Sequence, residues 1–389
     1  MREKTASNDY VIRVLEHPSA IEAARWNGLL QAQADPKPFM RHEYLDALHE
    51  STSAVGPTGW LPQFLVVEGG GELLAACPLY LKDHSYGEYV FDWAWADAYE
   101  RHGLRYYPKL LSAVPFTPVP GARLLATNAD ARELLLTAMS QIARDAKLSS
   151  AHVLFLSDED RAAAMNAGWM MRSTVQFHWT NREPTPYADF ADFLASMQRE
   201  KRKKIQQERR RVQEAGIAFT VHAANEITSD EWDFFYRCYT LTYRAHHSTP
   251  YLTRDFFRRM APTMPENWVM FIAWKDGRRV GSSLIAVDMP RGAAFGRYWG
   301  ATEHIPFLHF EACYYQPLQW CIEQRMKRFE GGAQGEHKMA RGLLPVQTWS
   351  AHWLAHPQFA RAVADFLERE GAGVESYLDE LNERRPFKA

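Results

Sequence analysis

The densest run of chemistry-bearing residues lies between Gly331 and Gly342, where Gln334, Glu336, His337, Lys338 and Arg341 stand among glycines. Glycine lets a ligand approach the backbone closely, and adjacent Glu336 and His337 form a ready general acid/base pair. Lys338 and Arg341 suit a donor phosphate or an acceptor carboxylate, the guanidinium through its planar fork. A solvated surface loop would have the same composition, so both readings stay open.

Two further groups invite chemistry. His309 and Glu311 fall at the start of an expected helix, two positions apart, and so do not share a face. At most one of them joins Tyr314 or Tyr315 in a site. Glu311 is a second candidate base, with a helix N-terminal acid favoured by the dipole as the plainer reading. Arg297 and Trp299, on the strand before, could bind a carboxylate or phosphate; an Arg297–Glu311 structural pair is the alternative. In the first half, His84, Ser85, Glu88 and Asp92 lie together. A serine nucleophile is disfavoured, because His84 and Ser85 point apart in an extended chain and no Gly-x-Ser-x-Gly elbow is present. Glu88 and Asp92, with His84, suit an amine held in the groove between the halves, and a solvated polar loop explains them as cheaply. His309, Glu311, Glu336 and His337 lack zinc-type spacing, so no metal is expected.

The elements that must position these residues occur twice. Residues 64–81 align without a gap on residues 270–287, placing Gly71 on Gly277, Leu74 on Val280 and Leu79 on Ile285. Extending the alignment places Trp93 on Trp299. Each copy reads as strand, glycine turn, strand, loop and strand, followed by a helix, and internal repeats decide architecture first. The expected division is a first domain over 1–187, a connecting helix over 188–216 and a second domain with a helical tail over 217–389. The connector carries eight basic and two acidic residues between Arg199 and Arg211, a net of +6. Its apolar stripe is narrow, so it shows a cationic face on which Lys203, Lys204, Arg209 and Arg210 could contact nucleic-acid phosphates. A solvated connector is the bland account.

Composition sets the outer bounds. The chain has 389 residues, 46% of them apolar, and a net charge of −2. It is therefore neither disordered nor a polybasic nucleic-acid binder as a whole. No apolar run approaches the ~18 residues of a membrane span. Four scattered cysteines and a polar start point to a cytoplasmic protein.

Strand–turn–strand–strand–helix with a short glycine turn resembles the core of the GNAT acyltransferase superfamily. Two such cores with a Lys/Arg-rich helix resemble the Fem-type peptidyltransferases. More specifically, the segments Lys82–Trp93, Tyr106–Leu110, Pro115–Pro118, Gly296–Gly300, Leu308–Tyr315 and Gly332–Lys338 are similar to those of Fem-like N-acyltransferases. The resemblance implies an α/β protein of two tandem GNAT-like domains with mixed, mostly antiparallel sheets. It implies amide-bond formation between an activated acyl group and the amine of an amino-acid- or peptide-like acceptor. Coenzyme A as carrier is disfavoured, because Arg297-Tyr-Trp-Gly300-Ala301-Thr302 departs from the usual pyrophosphate-binding turn and no helix follows it directly. Aminoacyl-tRNA is the expected co-substrate, acyl-CoA the alternative, and no permanently bound cofactor is expected. The competing class is a non-catalytic module that binds an amino-acid or peptidoglycan-like ligand.

Overall fold

The computed structural model describes residues 10–333 and 335–388. The chain forms two units, Met1–Thr174 with Thr348–Gly373, and Val175–Gln347 with Val374–Ala389. These limits differ from the boundaries expected at 187 and 217, because the chain passes from one unit to the other inside regular elements.

The first unit contains β1 (Tyr10–Leu15), β2 (Leu61–Pro62), β3 (Phe64–Gly69), β4 (Glu72–Cys77), β5 (Tyr80–Lys82), β6 (Lys109–Ser112), β7 (Leu125–Ala126), β8 (Ser150–Val153) and the start of β9 (Met170–Thr180). Its helices are α1 (Ala23–Gln31), α2 (His42–Glu50), α3 (Trp93–Arg101), α4 (Ala129–Asp145) and α5 (Asp158–Asn166). One sheet runs β1-β3-β4-β7, all antiparallel. In a second sheet β6 pairs antiparallel with β5 and parallel with β8. Helix α4 starts at Asn128, whose side chain accepts from Ala131 N–H at 2.9 Å. It buries Leu135, Leu136 and Met139 against Leu65, Val67 and Val153. Helix α1 starts at Ala23, and Ser19 N–H donates to His17 Nδ1 ahead of it.

The second unit contains α6 (Phe190–Ser196), α7 (Arg199–Glu214), β10 (Ala218–Ala223), α8 (Ser229–Ala245), α9 (Arg254–Thr263), β11 (Trp268–Lys275), β12 (Arg278–Asp288), β13 (Ala293–Ala301), α10 (Leu308–Phe310), α11 (Gln316–Glu323), β14 (Arg328–Ala333) and the start of β15 (Leu344–Leu354). The last helix is α12 (Pro357–Glu383). Strands β10 to β13 form an antiparallel run, and β14 pairs parallel with β13 and antiparallel with the end of β9. The basic helix α7 lies wholly inside this unit and buries Ile205, Glu208 and Val212. Gly300 lets β13 lie directly on α8, since a Cβ there would sit 2.0 Å from the Cys238 carbonyl oxygen.

The sequence repeat is real in its hairpins and fails beyond them. Both turns hold two residues at positive φ, Gly70 and Gly71 in one and Asp276 and Gly277 in the other. Both hairpins shift register at the same aligned position, after Val67 and after Ala273. Trp299, however, lies in β13, whereas Trp93 opens α3. Alanines alternate with Trp93, Trp95 and Tyr99, and burying Trp95 and Tyr99 one turn apart favours helix over strand.

Candidate active site

Strand β13 opens the sheet of the second unit. Leu284 pairs with Tyr298 but Ile285 pairs with Gly296, so Arg297 is the extra residue of a bulge. Ladder pairing with β14 covers Ala293–Phe295. From Gly296 onward the two strands border a cavity of about 140 Å³, lined by Arg297, Trp299, His309, Cys313, Tyr314 and Gly331 among others. The cavity also touches the helical stretch Leu308–Glu323, which widens into a π turn over Glu311–Tyr315. Pro317 lacks the N–H that would bond one turn back, and such wide turns are frequent at functional sites. Ser283 donates to the Ala312 carbonyl at 2.5 Å, which fixes the wide turn to β12.

His309 is the titratable side chain best placed in this cavity. Its ring centroid lies 4.9 Å from that of Trp299 and 5.7 Å from that of Tyr314. Burial, reinforced by His337, Arg341 and Lys338, lowers its pKa to about 4, so the imidazole is neutral at pH 7. Burial raises the Tyr314 pKa, which keeps its hydroxyl protonated. That hydroxyl lies 3.3 Å from His337 Nε2.

Several expected roles do not survive the geometry. Glu311 is not a free base: its carboxylate pairs with Arg209 at 3.0 Å and accepts from Gln316 at 2.7 Å. Arg209 therefore turns inward, away from the cationic face, and the Arg297–Glu311 pair does not form. Arg297 instead donates to the Tyr298 hydroxyl at 2.9 Å. Arg341 is buried, pairs with Glu208 at 2.9 Å and lies 3.5 Å above the Phe310 ring. It ties α7 to the loop and does not reach for a ligand. Glu336 is exposed and accepts from the Tyr377 hydroxyl at 2.9 Å. Among the described residues neither Glu336 nor His337 lines the cavity. Lys338 donates to the Gly331 carbonyl at 2.6 Å, and burial lowers its pKa to about 8. Gln334 lies outside the described residues.

The first-half acids form a buried charge cluster within the first unit. Lys109, with no exposed side-chain surface, donates to Glu88 at 2.8 Å, Asp92 at 2.5 Å and Ser85 at 2.8 Å. Tyr106 donates to Asp92, and the Tyr106 hydroxyl lies 3.3 Å from His152 Nε2. His152 Nδ1 is 2.8 Å from His352 Nδ1. Burial raises Asp92, but Lys109 outweighs it and holds that carboxyl well below its usual range. Among the described residues one Glu88 oxygen has no partner, and burial outweighs Lys109 to raise its pKa to about 7. Sealed inside, neither acid opens onto a groove. His84 stays at the surface, where its Nδ1 accepts from Tyr86 N–H at 3.2 Å. Sequence reasoning assigns no role to Lys109, His152, His352 or Glu208, although Lys109 falls in the family-like segment Tyr106–Leu110; the available signal is a polar side chain in an otherwise apolar strand or stripe.

These groups predict a pH dependence of stability. Burial depresses His152 from 6.5 to about 3 and His309 from 6.5 to about 4. The unfolded chain then binds more protons across that window, so stability falls as pH drops below 6.5. Glu88 opposes this, because its folded value exceeds the ordinary 4.5 and acidification between about 7 and 4.5 favours the fold. Burial also holds His352 well below 6.5 and raises Asp160 to about 6. At about 1.4 kcal/mol per unit, three histidines outweigh two carboxyls, leaving a net loss of about 2–4 kcal/mol by pH 4.5. Thermal unfolding between pH 7.5 and 4.5 should show this loss, steeper in Glu88→Gln. A flat profile would contradict it.

The whole-chain comparison settles the family. Residues 17–389 match the FemAB-like family, described as peptidoglycan biosynthesis/recognition. The chain belongs to the FemAB-like family. Its fold is similar to that of FemX, with TM-score 0.54, 10% identity and coverage of 88% of this chain and 98% of that one. L-PGS from Bacillus licheniformis gives 0.53, 11% identity and coverage of 90% and 98%. A conserved protein of unknown function from Bacteroides thetaiotaomicron gives 0.52, 11% identity and coverage of 88% and 100%. Comparison with curated proteins gives no match. No helix among the described residues is long and apolar enough to cross a membrane.

Proposed function

We propose that the chain transfers an aminoacyl group from aminoacyl-tRNA to the amine of a peptidoglycan-precursor-type peptide, at the cavity between β13 and β14. The observation that carries this reading is the bulged, parted strand pair, which sets Arg297, Trp299, His309 and Tyr314 around one small space. A cavity of about 140 Å³ suits a small acyl group and leaves its carrier outside.

The amine attacks the ester carbonyl, the carbonyl electrons move to oxygen, and collapse expels the ribose hydroxyl of the carrier. Neutral His309 accepts the proton that the attacking amine sheds and passes it to the departing ribose oxygen. The protonated Tyr314 hydroxyl is positioned to donate to the oxyanion, with His337 behind it. Holding both reactants in one cleft supplies a large part of such a rate. Arg297, in the bulge, is placed to hold a carboxylate of the acceptor.

Helix α7 supports the choice of carrier. Lys203, Lys204 and Arg210 are exposed on its outer face, while Glu208 and Arg209 pack inward. Between Ala301 and Leu308 the chain makes a turn before the helix begins, unlike a glycine turn that leads straight into one. Replacing Lys203, Lys204 and Arg210 with Gln should weaken tRNA binding and flatten the log–log salt slope by about 0.7–0.9 per lost phosphate contact. Filter binding from 50 to 300 mM salt reads the slope. An unchanged slope would remove tRNA from this helix and leave acyl-CoA as the carrier to test.

A further inference from the structure

Strand β1 is the outer strand of the first unit's antiparallel sheet, and among the described residues it pairs with β3 alone. Each of its six residues matches one of β3, from Tyr10 opposite Gly69 to Leu15 opposite Phe64, without a register shift. Alternate residues of a strand turn their N–H and C=O groups to opposite edges, so one edge of β1 is open along its whole length. Its side chains are open as well. Helix α4 packs on Leu65 and Val67 of β3. Their cross-strand neighbours Val14 and Ile12 nevertheless stay 40% and 39% exposed, and Val11 on the other face is 59% exposed.

Edge strands are usually blunted by proline, lysine, a bulge or a covering element. Residues 10–15 contain neither proline nor lysine, and their pairing has no bulge. The one charge is turned back on the sheet, since Arg13 pairs with Glu68 at 2.6 Å. Such an edge is a template for one more strand, apolar and of similar length. Strand β1 itself meets that requirement. Two copies related by a twofold axis centre their antiparallel pairing on one residue. Centring near either end leaves most of the strand unpaired, and centring on Arg13 sets like charges directly opposite. Centring on Ile12 sets Ile12 against Ile12, Tyr10 against Val14 and Val11 against Arg13. Val11 also stands opposite Glu68 within the sheet. Each Arg13 therefore enters the row that holds the partner's Glu68, and opposite charges line up across the seam.

We propose that β1 pairs antiparallel with β1 of a second copy of this chain, centred on Ile12, joining two four-stranded sheets into one. A seam this short buries less than the ~1,600 Å² of a standard interface, so the dimer is weak and reversible. The proposal does not depend on the transfer reaction, which is placed in the second unit.

Sedimentation equilibrium of the full chain from about 1 to 500 µM should show a monomer–dimer equilibrium with a Kd of about 10–200 µM. Val11→Lys and Ile12→Lys should each raise that Kd at least about tenfold, because lysine on an open edge blocks strand pairing. Both positions are exposed, and thermal melting checks that each variant is folded. Oxidative cross-linking reads the register: Ile12→Cys should form a linked dimer and Arg13→Cys should not, with the wild type as baseline for its four native cysteines. A monomer at every concentration, a dimer unaffected by both lysine variants, or cross-linking of Arg13→Cys in place of Ile12→Cys would each overturn the proposal. So would a monomer in which every β1 amide resists hydrogen exchange, since another segment would then hold the edge.

Discussion

Lys109→Met should destabilise the first unit by about 3–5 kcal/mol, because it leaves two carboxylates buried without their counter-charge. Lys109 holds Glu88 and Asp92 at 2.8 and 2.5 Å with no side-chain surface exposed. Its own pKa is raised: burial lowers it, but the two carboxylates outweigh burial, so it stays an ammonium. That rules out a lysine base acting on Ser85, even though the two lie 2.8 Å apart. The triple variant Lys109→Met, Glu88→Gln, Asp92→Asn removes all three charges and should recover most of the loss. Hydrogen exchange of peptides spanning residues 80–112, with urea unfolding, reads the effect in the right unit. A loss below about 1 kcal/mol would mean that the cluster is solvated and that the first unit keeps an open polar groove.

His309→Phe should lower kcat for transfer by about 10²–10⁴, the usual worth of a proton acceptor placed at the reacting amine. Phenylalanine keeps an aromatic ring against Trp299 and Tyr314 while removing both ring nitrogens, so melting should change little. His337→Asn should have a smaller effect, since His337 reaches the cavity only through Tyr314. Glu336→Gln should leave turnover within about twofold, because its carboxylate bonds Tyr377 at the surface. Retained activity in His309→Phe together with loss in Glu336→Gln would return the acid/base role to the glycine-flanked loop.

Much of the fold is legible in the sequence, and the reasons are local. Two glycine turns with matching apolar flanks announce both hairpins, down to a shared register shift. Asn128 marks a helix start, and Gly216 at φ +76° ends the basic helix region. The expected connecting helix over residues 188–216 is interrupted at Met197–Gln198, where ψ is 155° and 144°. Trp93 was legible only as an aromatic at an aligned position; its helix is set by burial of Trp95 and Tyr99, a tertiary effect. The site divides in the same way. Arg297, Trp299 and His309 stand out in the sequence on a strand and the helix that follows it, and all three line one cavity. The charged residues are not, because charge alone does not say which way a side chain points. Arg209 and Arg210 are neighbours in a basic run, yet one is ion-paired inside and the other is exposed. Glu311 looks like a base and Arg341 like a ligand-binding group, and both serve as ties between α7, the wide helical turn and the loop.

The central claim is that acyl transfer occurs in the cavity between β13 and β14 of the second unit. The most direct measurement incubates the purified full chain with aminoacyl-tRNA or acyl-CoA and a peptidoglycan-precursor peptide amine, and follows amide product by mass spectrometry. It is repeated with Gly296→Leu, whose side chain would start 3.1 Å from the Phe329 ring and fill the cavity. The account predicts product from aminoacyl-tRNA in the wild type, reduced at least about a hundredfold in a folded Gly296→Leu chain, because misplacing the reactants forfeits most of the positioning advantage. Undiminished transfer by folded Gly296→Leu, or no product from either donor, would contradict it.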